Sequence, residues 1–144
     1  MLIGQYNHSI DDKKRLAIPN KFKSVFGKKV VVTRGLDTCV FVYTIKEWGK
    51  IAEKLVSGSL GSKDSRDLNR FFLSGATEVE VDGAGRILIP EYLKEFAKLK
   101  DKVIFAGLYS RCEIWNETEW EKRQKDVGNR ADEVASKLQE IGMI

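Results

Sequence analysis

Two copies of one short motif contain the residues best suited to binding chemistry. The segments Ile10–Pro19 and Val81–Pro90 both read apolar residue, Asp, three residues, Arg, apolar residue, any residue, Ile, Pro, with corresponding positions 71 residues apart. An Asp that opens a turn accepts hydrogen bonds from backbone N–H groups, and the Arg four residues later can pair with that carboxylate. An arginine can also hold a guanine edge through two hydrogen bonds. The motif therefore predicts two braced hairpins, each with a side chain suited to a polyanion.

The residues inside the turn differ between the two copies. The first copy has Asp12, Lys13 and Lys14 where the second has Gly83, an alanine and Gly85. Glycine lets the backbone adopt the positive φ angles of tight turns, whereas lysine is costly in a turn but useful for contact with phosphate. This contrast favours a functional first turn and a structural second turn.

Positive charge is concentrated in the first half of the chain. The formal net charge is +4 over 144 residues. By segment it is +5 in residues 1–48, +2 in 49–76, −3 in 77–120 and zero in 121–144. The two motifs thus lie in halves of opposite charge, of which the first suits a polyanion. A solvated basic face without a partner is the alternative explanation.

Composition argues against several classes of protein. The single His8 has no nucleophile or metal partner at a useful spacing. We therefore predict that the protein is not an enzyme and binds neither a metal nor a cofactor. Two cysteines without a CxxC pair argue against a zinc site or a disulfide scaffold and favour reduced thiols in the core. No apolar run approaches the roughly 20 residues of a membrane span, and the N-terminus lacks a signal-peptide pattern. We therefore expect a cytoplasmic protein with no membrane contact and no small-molecule substrate.

The duplication continues beyond the motif and predicts the domain plan. VYTIKEW at residues 42–48 matches IWNETEW at residues 114–120. A repeat of about 45 residues rarely buries enough apolar surface to fold alone, so we expect the halves to pack together rather than form two independent units. The predicted segments are repeat 1 at residues 5–48, a helical linker at 49–76, repeat 2 at 77–120 and a C-terminal helix at 121–144.

Each half is predicted to run strand, turn, strand, helix, strand, turn, strand, helix. A helix after Pro19 is expected to bury Phe22, Val25 and Phe26 on one face. The stretch Ser57–Ser65 is expected to be flexible and to separate the halves. Because one half alone would leave open sheet edges, we predict that the halves pair and close a small barrel, which makes the fold α+β.

The later helices have start signals and an apolar stripe. Thr44 and Asn116 each precede a Glu three residues later, which predicts capping boxes. The last helix has apolar residues at helical spacing, and we expect a neighbouring copy of the chain to cover them. These residues are Val127, Ala131, Val134, Leu138 and Ile141.

The twin motifs resemble those of a known family. Two copies of D-x-x-x-R-Φ-x-I-P, the opening IGQYNHSID and the segment RFFLSGATEVEVDGAGRILIP resemble the MraZ family of bacterial transcriptional regulators, which are built from two SpoVT-AbrB-type domains. The resemblance spans the chain to about Trp120. It implies two tandem AbrB-like β-α-β repeats in a pseudo-twofold, swapped-hairpin β-barrel with peripheral helices. The family commonly has Lys-Gly-Arg before the return strand, whereas this chain has Lys14 in place of that glycine.

The resemblance also implies a function. It implies a ring-shaped homo-oligomer, associated with the nucleoid, that binds direct repeats in double-stranded promoter DNA. In the family that promoter drives the division and cell-wall gene cluster, including the regulator's own gene. The alternative is a protein-interaction scaffold or antitoxin-like partner-binding module on the same fold. Salt dependence separates the two, because DNA affinity through several phosphates falls steeply with salt.

Residues and resemblance together predict the site. DNA contact is assigned to Lys13, Lys14, Arg15, Lys21 and Arg86. Structural roles in the motif are assigned to Asp11, Pro19, Asp82, Gly83, Gly85 and Pro90. We expect Arg15 to read bases, the lysines to contact phosphates, and Arg86 mainly to stabilise its turn.

Overall fold

The computed structural model describes residues 1–144 and contains eight strands, five helices and one 3-10 turn. The strands are β1 (Leu2–Ser9), β2 (Arg15–Ala17), β3 (Lys29–Arg34), β4 (Val40–Thr44), β5 (Thr77–Glu80), β6 (Arg86–Leu88), β7 (Lys102–Tyr109) and β8 (Cys112–Asn116). The helices are α1 (Lys23–Phe26), α2 (Ile45–Val56), α3 (Lys63–Leu73), α4 (Glu91–Phe96) and α5 (Glu117–Glu140), and the 3-10 turn spans Asn20–Phe22. None of the helices has both the length and the apolar composition needed to cross a membrane.

The first strand of each half pairs with the third strand of the other half. Six strands form an antiparallel sheet in the order β1-β7-β8-β4-β3-β5, in which β1 pairs with β7 and β5 pairs with β3. The second strands, β2 and β6, pair with each other, and one further bridge joins Ile10 to Leu16. Neither half completes its sheet alone, so the alternative of two independent units is wrong.

The sheet does not close into the predicted barrel. β1 and β5 lie at its two outer edges, and the β2–β6 pair, here called the ribbon, is a separate sheet. The ribbon strands have only three residues each, and they use their hydrogen bonds on each other rather than on the edges of the larger sheet. The α+β class and the two-half organisation are confirmed, whereas a closed barrel is not found.

Two apolar layers lie on opposite faces of the six-stranded sheet. Alternate residues of β4 divide between them, because side chains of a strand point to opposite faces in turn. Val40 and Val42 pack in the layer under the ribbon, whereas Phe41 packs in the layer under α2 and α3. The ribbon and the residues just after it fill the first layer with Leu16, Ile18, Ile87 and Ile89, all almost fully buried.

Both cysteines are buried free thiols, as predicted. Burial raises the pKa of the Cys39 thiol far above its ordinary value and raises that of Cys112 to about 12. Both side chains therefore stay protonated near neutral pH and act as small apolar groups in the core.

Only the N-cap half of each predicted capping box is found, since neither Glu side chain returns a hydrogen bond to the N-cap N–H. Thr44 Oγ1 accepts the N–H of Glu47 at 3.0 Å at the start of α2. Asn116 Oδ1 accepts the N–H of Glu119 at 3.1 Å at the start of α5. Each cap satisfies one of the backbone donors that a helix leaves free at its N-terminus.

The stretch predicted to be flexible is shorter than expected. Ser62 caps α3, since its Oγ accepts the N–H of Ser65 at 3.3 Å, and the helix begins at Lys63. The last residues of the segment Ser57–Ser65 therefore belong to a helix. The serines of this segment predicted a loop, but Ser62 is the N-cap of α3. Serine is one of the residues that N-cap positions favour.

The helix after Pro19 does not bury the predicted face. Phe22 and Phe26 are buried, but Val25 is 41% exposed. The prediction assumed one continuous helix, whereas a 3-10 turn precedes a four-residue α1. The tighter spacing of a 3-10 turn rotates the following residues, so Val25 faces solvent.

The apolar stripe of α5 has little cover within the chain. Only Val134 and Leu138 are half-buried, and Val127, Ala131 and Ile141 are exposed. The part of α5 that packs on the sheet is its first turn, through Trp120. Cover by a neighbouring copy stays a prediction.

Candidate nucleic-acid interface

The first turn of the motif is held together by the Asp11 carboxylate. Its Oδ1 accepts the N–H groups of Lys13 and Arg15, both at 2.9 Å, and its Oδ2 accepts Arg15 Nε at 2.8 Å. The N–H of Lys14 donates to the Asp11 carbonyl at 3.0 Å. The hydrogen bond from the Arg15 backbone is the main reason that the pKa of Asp11 lies below its ordinary value. The carboxylate form is therefore the one that braces the turn.

The second turn repeats this arrangement. Asp82 Oδ1 accepts the N–H groups of Ala84 and Arg86, both at 2.9 Å, and Oδ2 accepts Arg86 Nε at 3.0 Å. The N–H of Gly85 donates to the Asp82 carbonyl at 2.9 Å. The pKa of Asp82 is lowered by the same main cause, the backbone hydrogen bond from Arg86. The same set of hydrogen bonds therefore braces both turns.

One position in each turn has a left-handed backbone. Lys14 has a φ of 62° and the corresponding Gly85 a φ of 78°. Gly85 has a second reason to be glycine, because an added Cβ would lie 2.7 Å from Lys23 Nζ. Gly83 has no positive φ, and an added Cβ there would meet nothing within 4 Å. Lys14 therefore keeps the conformation of the glycine it replaces, while Gly83 has no conformational reason to be glycine.

Both prolines of the motif lie directly before helical residues. Pro19 has a φ of −50° and accepts the N–H of Phe22 at 2.8 Å. Pro90 has a φ of −56° and accepts the N–H of Leu93 at 3.1 Å. The ring fixes φ in a suitable range, so each proline directs the chain from the ribbon into the following turn of helix.

The ribbon presents both arginines on one outer face. In the antiparallel register Arg15 lies opposite Leu88, Leu16 opposite Ile87, and Arg86 opposite Ala17. Leu16 and Ile87 are fully buried, so the alternate residues point outward. Arg15 and Arg86 are then diagonal neighbours, with Cα atoms on the order of 7–8 Å apart.

Each guanidinium group on this face donates one hydrogen bond to its own aspartate and keeps its other N–H groups free. Each Nε is used by its Asp, whereas neither arginine makes a hydrogen bond through Nη1 or Nη2 within the chain. Their side chains are 32% and 35% exposed for Arg15 and Arg86. Each arginine therefore offers two oriented donor groups to a ligand.

The first turn is bordered by an acidic residue of the second half. Lys14 Nζ lies 2.6 Å from Glu91 Oε2 at the start of α4, and this hydrogen bond is the main reason that the pKa of Glu91 lies below its ordinary value. Lys13 is exposed and makes no ion pair. Of the two lysines predicted to contact phosphate here, one is free and one is already paired.

The second turn is bordered by lysines of the first half. The Lys23 side chain packs over Gly85, with its Nζ 3.5 Å from the Ala84 carbonyl. Lys28 accepts the N–H of Val81 at 2.8 Å through its carbonyl, and Lys29 lies opposite Glu80 in the sheet. These three lysines were not predicted as site residues. The pairing of β5 with β3 brings Lys28 and Lys29 to this turn. The only sequence signal for that pairing is the alternation of polar and apolar residues in β5.

Lys21, another lysine predicted to contact DNA, lies in a groove beside the ribbon. It lines a groove of about 420 Å³ with His8, Ala17 and Lys23, and Ala17 is the cross-strand partner of Arg86. Burial is the main cause that lowers the pKa of His8, against a hydrogen bond with Ala17 that raises it. The groove therefore owes its positive charge to the two lysines.

Comparison with known proteins decides the family. The family model described as "MraZ protein, putative antitoxin-like" matches the chain twice, over residues 1–71 and residues 72–139. The chain belongs to the MraZ family. The two MraZ matches each contain one braced turn and meet within α3, so the duplication found in the sequence corresponds to two copies of the MraZ unit.

Curated MraZ proteins are similar along nearly the whole chain. The "Transcriptional regulator MraZ" of Caldanaerobacter subterraneus subsp. tengcongensis is 50% identical over 138 residues, which is 96% of each chain. That of Caldicellulosiruptor saccharolyticus is 45% identical over 143 residues, 99% of this chain and 100% of the relative. That of Thermoanaerobacter pseudethanolicus is 46% identical over the same shares of both chains.

Proposed function

We propose that this MraZ-family chain is a transcriptional regulator that binds DNA through the outer face of its ribbon. The observation that carries the proposal is the pair of outward arginines, each held at Nε by an aspartate and free at both Nη groups. The names of the curated relatives support the same function.

The ribbon suits the major groove of DNA because that groove, about 12 Å wide, admits two antiparallel strands. Arg15 and Arg86 would each donate two hydrogen bonds to a guanine edge, at about 1–3 kcal/mol of discrimination per pair. The aspartate braces orient both guanidinium groups before binding, so less side-chain freedom is lost on association. Lys13 and Lys21 would contact phosphates, which position the protein on the duplex without reading sequence.

We further propose that several copies bind one promoter together. A ring-shaped homo-oligomer would present many ribbons to tandem direct repeats upstream of the division and cell-wall gene cluster, and so control its own operon from the nucleoid. Two ribbons bound at once would raise the apparent affinity by about 10²–10⁴-fold through effective concentration. The uncovered residues Val127 and Ile141 on α5 support contact with a neighbouring copy.

The first experiment uses unbiased DNA. Purified protein is mixed with sheared genomic DNA, and the retained fragments are sequenced. We expect enrichment of a short repeated sequence, and we expect duplexes with several repeats spaced by about one helical turn to bind far more tightly than duplexes with one. Equal affinity for both would contradict joint binding by several copies, and enrichment of no sequence would contradict specific recognition.

A salt titration separates DNA binding from the partner-binding alternative. The affinity for DNA is expected to fall by about 10³–10⁵-fold between 50 and 200 mM salt if six to ten phosphates are contacted. Failure to bind any duplex at low salt would overturn the proposed function. Burial of an apolar protein partner would not give this steep dependence.

A further inference from the structure

The second turn has a free backbone donor at its outer corner. The N–H of Gly83 makes no hydrogen bond within the chain, whereas the N–H groups of Asp82, Ala84, Gly85 and Arg86 are all used inside the turn. Gly83 is exposed, and no atom beyond its own chain neighbours lies within 4 Å of the point where a Cβ would be. The corner of the turn at Gly83 is therefore open to solvent.

Gly83 lines a groove between the two halves. Gly27, Lys28 and Lys29 form one side, and the residues Glu80–Gly83 form the other, around a volume of about 490 Å³. Glu80 lies opposite Lys29 in the sheet, and the Asp82 carboxylate is already engaged by Arg86. The groove therefore combines a free N–H with two lysines and two carboxylates, one of which is neutralised.

The corresponding corner of the first turn is unsuited to an anion. Asp12 occupies the position of Gly83, and no cation pairs with its side chain. A carboxylate at that corner would repel a phosphate, and its side chain would cover the backbone. Close approach of a ligand to the backbone would account for this glycine, which the conformation of the turn does not require.

We propose that the groove between Gly27–Lys29 and Glu80–Gly83 is a phosphate subsite for the DNA backbone, with the Gly83 N–H and the Lys28 and Lys29 ammonium groups as its donors. Hydrogen bonds from backbone N–H groups to phosphate oxygens are common in protein–DNA contacts and carry no sequence information. The subsite rests on the proposed function, and it would anchor one DNA strand beside Arg86 while the arginines contact bases.

Gly83→Ala is the sharpest test, because the added methyl group meets nothing in the free protein. We expect unchanged or slightly raised thermal stability, since alanine restricts the unfolded chain. Alanine keeps the N–H, but its methyl group would hold a phosphate out of hydrogen-bond distance, so we expect about tenfold weaker binding to every duplex, close to the loss of one hydrogen bond to a charged group. Gly49→Ala is the matched control, because it adds the same methyl group in open space on α2, on the opposite face of the sheet. It is expected to leave DNA binding unchanged.

The roles of Lys28 and Lys29 are tested by removing their charges and measuring how DNA affinity depends on salt. Lys28→Ala with Lys29→Ala is expected to reduce the slope of log affinity against log salt by about two units and to leave the ranking of sequences unchanged. Lys46→Ala with Lys54→Ala removes the same charge from α2, on the opposite face of the sheet, and should not change the slope. Binding of the Gly83 and lysine variants at wild-type strength, with binding lost in Arg15→Ala, would overturn the subsite and leave the proposed function standing.

Free phosphate is the other source of the same chemistry. At matched ionic strength, inorganic phosphate is expected to raise the melting temperature of the wild-type protein no more than that of Gly83→Ala. A rise confined to the wild type, together with normal DNA binding by Gly83→Ala, would assign the groove to a free anion and overturn its assignment to DNA.

Discussion

The two turns of the motif have the same internal hydrogen bonds and different neighbours. In each, one aspartate accepts two backbone N–H groups and an arginine Nε. The first turn contacts Glu91 of the second half, whereas the second contacts Lys23 of the first half. Pairing of the two halves through the ribbon thus places charges of the opposite half beside each turn. Variants at corresponding positions can separate what the brace does from what the neighbours do.

The largest effect is expected on the inner face of the ribbon, where the two halves are most alike. Leu16 and Ile87 are cross-strand partners and fully buried. Leu16→Ala and Ile87→Ala should each lower the free energy of unfolding by about 2–5 kcal/mol, because each leaves a cavity in the core. Urea unfolding followed by circular dichroism measures the loss. Ile87→Val is the control, with an expected loss of about 0.5–1.5 kcal/mol. A large loss for only one alanine variant would break the equivalence of the halves.

The next effect concerns the two arginines, whose braces are the same. Arg15→Ala and Arg86→Ala should each reduce discrimination between specific and unrelated duplexes by about 1–3 kcal/mol. Melting should change little, because partly exposed ion pairs contribute about 0–1 kcal/mol. Arg15→Lys and Arg86→Lys keep the charge but lose the planar pair of donors, so each should lose about as much discrimination as the corresponding alanine variant. If Arg86→Ala binds normally and only melts earlier, Arg86 has the structural role that its glycine turn suggests.

A smaller effect is expected at the left-handed position of each turn. Gly85→Ala should destabilise the fold by at least about 1–2 kcal/mol, because φ is positive and the Lys23 side chain fills the space. Lys14→Gly should instead stabilise it by up to about 1 kcal/mol. Lys14→Asn, which tolerates this conformation and also lacks the charge, is the control for the lost ion pair. Thermal melting ranks the stabilities of the three variants. A Lys14→Gly variant less stable than the wild type would mean that the contact of Lys14 with Glu91 outweighs the backbone strain.

The smallest effect is expected at Glu91. Glu91→Gln removes the charge that engages Lys14 and should raise DNA affinity by a few-fold, because an exposed pair contributes about 0–1 kcal/mol and a lysine is released for phosphate contact. Glu95→Gln, on the same helix and without an ion pair, gives the general effect of removing one negative charge. Fluorescence anisotropy with one labelled duplex compares them, and equal gains would mean that Lys14 does not contact DNA.

Local features of this fold could be predicted from the sequence because their causes are local. The Asp11 and Asp82 braces, the caps at Thr44 and Asn116 and the buried cysteines each depend on a residue type and a few neighbours along the chain. The motif also marked Arg15 and Arg86, which the ribbon brings to one face. These are short-range rules of turns, caps and burial.

The surroundings of the turns could not be predicted, because they depend on contacts across the chain. Lys28 and Lys29 reach the second turn through pairing of β3 with β5, about 50 residues later in the sequence. The charge of each half was therefore a poor guide to the charge around its own turn. Likewise the 3-10 turn before α1 follows from packing of Phe22, which apolar spacing alone does not specify, and Val25 was placed on the wrong face.

The exchanged first strands also set the order in which this chain can be completed during its synthesis. β1 is made long before its partner, because Ser9 and Leu2 pair with Lys102 and Tyr109 of β7. A ribosome that adds about 5–20 residues per second needs roughly 5–20 s to reach that partner. During this interval the edges of β1 are open to strands of other chains, including those emerging from neighbouring ribosomes on the same message. The duplication that gave the chain two turns therefore also requires β1 to remain without its partner strand until β7 has been made.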